Sequence, residues 1–296
     1  MGGPSSERDV SLKSGACISE ALRSLNYNVT DIVWGVDNDL GRLLRESKVD
    51  IVFNGLHGTY GEDGAVQGFL HCLGIPSTGS GVTASAMAMD KVISKAMFQM
   101  SGVPTADWVF ATADLDSKEL PFGLPCVVKP SLEGSSVGVT IVKEANGLKN
   151  AILEAQKHKG VVMVEEFIEG REICTSVLGK KVLGSGEIIP KNEFYDYEAK
   201  YNRNDTVYMF PPDIDSKVLE KVEVIALQAY ESLGCQGYSR VDFRVRGDEI
   251  FVLEINTLPG MTSQSLFPKA AALSGYSFPE ICEKILEHGW KQSSKN

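Results

Sequence analysis

No apolar run in the 296-residue sequence approaches the roughly 20 residues that a bilayer-spanning helix needs. No basic-then-apolar leader opens the chain either, so a soluble, cytoplasmic protein without a membrane partner is expected. The six cysteines, Cys17, Cys72, Cys126, Cys174, Cys235 and Cys282, form no C-x-x-C pair. That spacing is neither a zinc site nor a disulfide framework, and most of them sit in apolar surroundings as small core residues. Positive charge is in deficit: 29 Lys and Arg against 39 Asp and Glu give a formal net charge of -10, which argues against nucleic acid as a partner. An anionic ligand would need a local cluster of Lys and Arg. There is no Walker G-K-[ST] loop, no internal repeat and no low-complexity segment. What remains, 43% hydrophobic and 23% charged, is ordinary globular material with length for two or three domains.

The first third of the chain alternates strand and helix signals. A Gly-rich loop leads into a helix of about 15 residues, with Leu12, Ala16, Ala21, Leu22 and Leu25 on its apolar face. Helix Asp39 to Ser47 precedes a buried-looking strand, Val49 to Gly55, which ends in Leu56-His57-Gly58; Ala65 to Leu73 is helical again. This order implies a small parallel sheet with His57 facing the ligand crevice. The run Gly79 to Ala84 resembles a dinucleotide fingerprint. It follows only a short strand, Ile75 to Ser77, and no acidic residue closes a second strand about 20 residues on, so a nicotinamide-dependent oxidoreductase is a minor rival. A helix from Ala84 to Met100 carries Lys91.

The middle of the chain offers three features. Strands ending at Lys129-Pro130 and spanning Val137 to Val142 flank a glycine and serine loop, Ser131 to Ser136; it can fold over phosphates or be a decorated hairpin turn. After helix Leu148 to Lys159, strand Val161 to Glu165 runs into Glu166-Phe167-Ile168, which is either an adenine-type edge or a charged turn. Beyond strands Ile173 to Leu178 and Val182 to Pro190, the aromatic, irregular stretch Asn192 to Asp205 has the character of a lid. Helices Ser216 to Leu233 and Pro279 to His288 complete the pattern.

The stretch from Arg240 to Gly260 holds the densest chemistry. Two alternating runs about Gly247-Asp248 predict an antiparallel hairpin, with Arg240, Asp242 and Arg244 on one face and Val252, Glu254 and Asn256 on one face of the partner. A plain two-residue loop would put Asp242 and Glu254 on opposite faces; an odd loop or a bulge puts them together, and an odd loop is expected here. Oxygen donors without Cys or His suit Mg²⁺. The same pattern is also that of a solvated outer sheet face.

Taken together, the residues resemble the D-alanine D-alanine ligases of the ATP-grasp superfamily. The resemblance rests on Gly2-Gly3 with Glu7-Arg8, Leu56 to Gly64, Met89-Asp90-Lys91, Val128 to Gly138, Phe194 to Tyr201, Arg240 with Asp242, and Leu253 to Ser265. It implies an α/β (α+β) class: an ATP-grasp fold with an N-terminal Rossmann-like (preATP-grasp) parallel-sheet domain. The parts would be 1–84, a central subdomain 85–165, and 166–296 with lid and metal site. It implies ATP-dependent joining of two D-alanines through an acyl phosphate, for peptidoglycan precursor synthesis. Lys91, Lys129 and Lys200 would meet the ATP phosphates, Glu165, Glu166 and Ile168 the adenine, and Glu172 the ribose. Asp242, Glu254 and Asn256 look like ligands of two Mg²⁺ (or Mn²⁺). Glu7 and His57 would receive the first D-alanine, with Ser135 and Tyr201 orienting Glu7. Arg240 and the Gly260 N–H would stabilise the oxyanion, and Ser265 and the Leu266 N–H would hold the second carboxylate.

The resemblance suggests a homodimer. The family's first strand, before Gly2-Gly3, is not in this sequence, so the N-terminal sheet is expected to lack a central strand; a misassigned start, a cut chain and a fold with a gap all remain open. A D-alanine D-lactate ligase and a non-catalytic nucleotide-binding relative are the rivals, and Tyr201 favours the dipeptide-forming members.

Overall fold

The computed structural model describes residues 1–35, 37–112, 114–190 and 206–294. The expected lid, with Lys200 and Tyr201, lies outside the described residues. Two antiparallel sheets carry the architecture. The first contains β1 (Trp108–Phe110), β2 (Cys126–Pro130), β3 (Thr140–Val142) and β4 (Val162–Glu166) in the order β1-β4-β2-β3. The second contains β5 (Arg171–Leu178), β6 (Lys181–Ile189), β7 (Val207–Met209), β8 (Tyr238–Arg246) and β9 (Glu249–Asn256) in the order β7-β6-β5-β8-β9.

Each sheet buries one face against a helix, as period-2 patterning requires. In the first, Cys126, Val128, Val142, Val162 and Val164 pack on helix α6 (Leu148–Ala155) through Leu148, Ala151 and Ile152. Val127 lies opposite Glu165 and Lys129 opposite Met163, so Lys129 and Glu165 share the face turned away from that core. In the second, Val241, Phe243, Val245, Ile250, Val252 and Ile255 meet Val222, Ala226 and Ala229 of α7 (Ser216–Ser232). The other face carries Glu172 opposite Arg244 and Cys174 opposite Asp242.

Helix α1 (Arg8–Ser24) packs through Ile18, Ala21 and Leu22 against Phe267 of α8 (Leu266–Leu273) and Ile281, Cys282 and Ile285 of α9 (Phe278–Ser293). The start of the chain is thereby seated on its end. The buried face of α1 differs from the expected one: Ser11, Ser14 and Ser19 are buried, whereas Ala16 is exposed. Ser11 tolerates burial because its Oγ accepts from the Gly2 N–H at 2.8 Å and donates to the Gly55 carbonyl at 2.6 Å.

Two further expectations are corrected. Val49 to Gly55 and Ile75 to Ser77 do not form a parallel sheet among the described residues; they meet at the single bridge Val52–Ser77, and Gly2 bridges Trp34. A ladder needs pairing at successive residues, and an apolar cavity of about 730 Å³, lined by Ile18, Leu22, Ile32 and Val52, borders this region. The expected helix Ala84 to Met100 is two helices beyond α2 (Leu40–Ser47) and α3 (Ala65–Cys72): α4 (Val82–Met89) and α5 (Lys91–Met100). Asp90 is extended between them, and its carboxylate caps α5 by accepting from the Val92 and Ile93 N–H groups. The break makes Lys91 the first residue of a helix rather than a mid-helix side chain.

His288 of α9 packs on the β5–β6 turn, where a Cβ on Gly179 would lie 2.7 Å from its ring. Burial, with Lys291 adding to it, pushes the imidazole below its ordinary range. The unfolded chain therefore binds more protons between the lowered value and about 6.5, and stability is lost as pH falls through that window. Thermal midpoints between pH 7.5 and 5.5 should show this decline, and His288→Gln should flatten part of it.

Candidate active site

The hairpin brings its oxygens together by a different device from the one expected. Arg246 pairs with Glu249, so the turn is the plain two-residue Gly247-Asp248, with Gly247 at φ +63 where a side chain would be strained. The odd loop is thus not present. Phe243 still pairs with Val252, but Asp242 pairs with Glu254, leaving Leu253 as the extra residue of a β-bulge. Beyond it Glu254 faces Asp242 and Asn256 faces Arg240. The bulge also parts two residues expected on one face: Val252 is in the core, while Glu254 is on the side of Asp242. Val252 is fixed from outside the hairpin, its N–H donating to the Pro104 carbonyl at 2.9 Å and its carbonyl accepting from Thr105 Oγ1 at 2.7 Å.

Cations are placed against these acids. Arg240 grips Asp242 in a two-point ion pair, Nε to Oδ1 and Nη2 to Oδ2, both 2.7 Å. Lys91 Nζ lies 3.4 Å from Glu254 Oε2 and donates to the Glu133 carbonyl at 2.6 Å, tying the Ser131–Ser136 loop to β9. Asn256 Oδ1 accepts from the Leu258 N–H at 2.9 Å. Among the described residues no cluster of three or more His, Cys, Asp or Glu forms a metal cage. Two carboxylates and an amide fit a hard divalent ion that completes its shell with water and phosphate.

On the first sheet, Glu165 is buried between two lysines. Lys129 Nζ donates to its Oε2 at 2.6 Å and Lys95 Nζ contacts Oε1. Burial alone would raise the Glu165 carboxyl, but Lys129 and Lys95 outweigh it and hold it below the usual range. Nearby, Ile168 is buried, Glu166 lies 3.9 Å from Arg246, and Glu172 pairs with Arg244 at 3.1 Å.

The N-terminal half contributes the opposite wall. Ser135 Oγ donates to Glu7 Oε1 at 2.6 Å. Gly58, at φ +69, leaves room for this carboxylate, since a Cβ there would stand 2.6 Å from Glu7 Oε2. His57 is buried with Nδ1 3.2 Å from Glu62 and Nε2 3.2 Å from Ser14 Oγ, which also accepts from the Met261 N–H. Ser265 Oγ accepts from the Thr262 N–H at 3.0 Å, and Leu266 opens α8. One cavity of about 740 Å³ is lined by Glu7, His57, Lys91, Ser135, Arg240, Glu254, Asn256, Gly260, Ser265 and Leu266. Lys129, Glu165, Glu166, Ile168, Glu172 and Asp242 do not line it.

Sequence reasoning missed Glu62, Ser14, Lys95 and Thr105. Glu62 had a signal in the Gly61-Glu62-Asp63-Gly64 turn beside His57. The other three had none beyond their residue types.

A family model described as "D-ala D-ala ligase N-terminus" matches residues 35–80, and one described as "D-ala D-ala ligase C-terminus" matches residues 97–287, well over half the chain. The chain belongs to the D-alanine D-alanine ligase family. A D-alanine–D-alanine ligase of Anaeromyxobacter sp. (strain Fw109-5) is 52% identical over 291 residues, covering 97% of this chain and 94% of that relative. One from Trichlorobacter lovleyi is 46% identical, covering 96% and 92%. The crystal structure of D-alanine–D-alanine ligase from Bacillus anthracis superposes with a TM-score of 0.88 at 36% identity, covering 100% of this chain and 97% of that one. VanG D-Ala:D-Ser ligase from Enterococcus faecalis gives 0.84 at 29% identity, covering 98% and 97%. The expected α/β ATP-grasp class is borne out by this family match.

Proposed function

We propose that this chain joins two D-alanines to D-alanyl-D-alanine, for peptidoglycan precursors, with ATP cleaved to ADP and phosphate. The carboxylate of the first D-alanine attacks the γ-phosphorus of ATP to give an acyl phosphate and ADP. The amine of the second attacks the acyl carbon, and phosphate leaves. The observation that carries this reading is the single cavity in which Glu7 and His57 of the N-terminal half face Arg240, Glu254, Asn256, Gly260 and Ser265.

Within it, Glu7, oriented by Ser135, receives the first ammonium beside His57. Arg240 and the Gly260 N–H stabilise the tetrahedral oxyanion, a role that fixed donors in a dry site perform well. Ser265 and the Leu266 N–H take the second carboxylate at the start of α8, where a helix N-terminus favours an anion. Lys91 and Lys129 serve the phosphates, Glu165, Glu166 and Ile168 the adenine, and Glu172 the ribose. Asp242, Glu254 and Asn256 would hold two Mg²⁺, which when bound neutralise charge on the transferring phosphoryl group. The chain reads as 1–84, 85–165 and 166–296, in keeping with sheets confined to 108–166 and 171–256.

The deciding experiment is ADP release by the purified chain with and without D-alanine. D-alanine-dependent release with dipeptide formed supports the reading; ATP turnover indifferent to D-alanine overturns it. A finer check is Ser135→Ala. Losing a hydrogen bond to a carboxylate should raise KM for the first D-alanine about tenfold, with KM for ATP unchanged.

A further inference from the structure

Lys95 is a cation that the reaction above does not use. It lies on α5 one turn after Lys91, its side chain fully buried (0%). Its Nζ donates to Thr105 Oγ1 at 2.5 Å and to the Ala106 carbonyl at 3.1 Å, and it closes an ion pair on Glu165 Oε1. Lys129 already neutralises Glu165 through the other oxygen. Two ammonium groups thus meet on the one carboxylate of Glu165, with Asp107 a further acidic neighbour of Lys95, and burying a second charge at this contact is costly.

What the second ammonium supplies is orientation. A carboxylate held through one oxygen can still pivot about that contact. One held through both oxygens cannot, and each oxygen keeps a further lone pair for a neighbour. Lys95 is itself immobilised from both sheets, since Thr105 Oγ1 donates onward to the Val252 carbonyl of β9 while Ala106 leads into β1. Both lysines also oppose protonation of Glu165, against a burial that favours it.

We propose that Lys95 is a positioning residue for base selection: it fixes Glu165 as an acceptor-only group, so that this edge admits a base presenting an amino group and rejects one presenting a carbonyl oxygen. The proposal rests on the reading that Glu165 meets the adenine of ATP. A polar site built for one hydrogen-bond pattern discriminates strongly against its inverse, because the mismatched groups are left buried and unpaired. Without Lys95 the carboxylate can turn or take up a proton, and a protonated Glu165 can donate to the oxygen of guanine.

The test compares ATP, GTP and purine riboside triphosphate, which lacks the 6-amino group, in steady-state assays of the unaltered chain and of Lys95→Met. Lys95→Met leaves one ammonium against one carboxylate, so no unpaired charge threatens the fold, and circular dichroism checks it. The ATP-over-GTP ratio of kcat/KM should fall about tenfold or more, through KM, with kcat at saturating ATP nearly kept. The penalty for omitting the amino group should shrink alongside. A folded Lys95→Met with an unchanged ratio overturns the proposal. If the unaltered chain binds ATP and the purine analogue equally, the adenine reading of Glu165 is what fails. Should Lys95→Met not fold, Thr105→Val, which removes one of the two hydrogen-bond anchors of Lys95 but keeps every charge, should lower the same ratio several-fold; no change there overturns the proposal equally.

Discussion

Asp242→Asn should lower D-alanine-dependent phosphate release by about a hundredfold or more while the folded spectrum is retained. Asp242 is 7% exposed, faces Glu254 across the hairpin, and is the two-point partner of Arg240. Asparagine keeps the shape and one acceptor oxygen but removes the charge that pairs with the guanidinium and that the proposed divalent ion would read. Some stability goes with it, because Arg240 is left without its counter-ion. Glu254→Gln separates the two effects. Glu254 is 32% exposed at the side chain whereas Asp242 is buried, so neutralising Glu254 should cost less folding energy. Both variants should lose rate alike, and Asp242→Asn should lower the thermal midpoint further than Glu254→Gln does. Near-normal turnover in either would remove these residues from the metal site.

Glu165→Met should cost about 3–5 kcal/mol of stability, read from chemical denaturation of the chain. The change strands two ammonium groups, one of them wholly enclosed: Lys95 is 0% and Lys129 9% exposed at the side chain. Burial already pushes Lys95 down despite Glu165, and loss of that carboxylate removes the main group opposing the push. Adding Lys95→Met to Glu165→Met should therefore recover part of the loss. A single-variant cost under about 1 kcal/mol would mean that the ion pairs are not the structural element taken here.

Legibility in the sequence followed element length and polar marking. Strands β5, β6, β8 and β9 run eight or nine residues and were readable close to their bounds. The site residues around them came from local motifs, and the cavity unites ten of them. The bulge was not readable, because Leu253 is apolar like its neighbours Phe251 and Val252 and nothing marks which residue is supernumerary. The face of α1 was misread because its buried side includes serines whose partners nothing local marks: Gly2 and Gly55 for Ser11, His57 and the Met261 N–H for Ser14, and Asp31 for Ser19. Asp90 was hidden as a helix break by the apolar runs on both sides. Nothing in the sequence marks Lys95, and only the fold brings Glu165, 70 positions on, to meet it.

The bulge at Leu253 divides the hairpin into two lengths counted from different origins. The outer length is counted from Gly247-Asp248; the inner length, with Glu254 and Asn256, is counted from Val252, which Pro104 and Thr105 hold from outside. A residue gained or lost at the turn would be absorbed before it reached the acids. The placement of the metal-type oxygens is therefore insulated from the exposed tip, and the part of the chain that sets it is the short segment leading into β1.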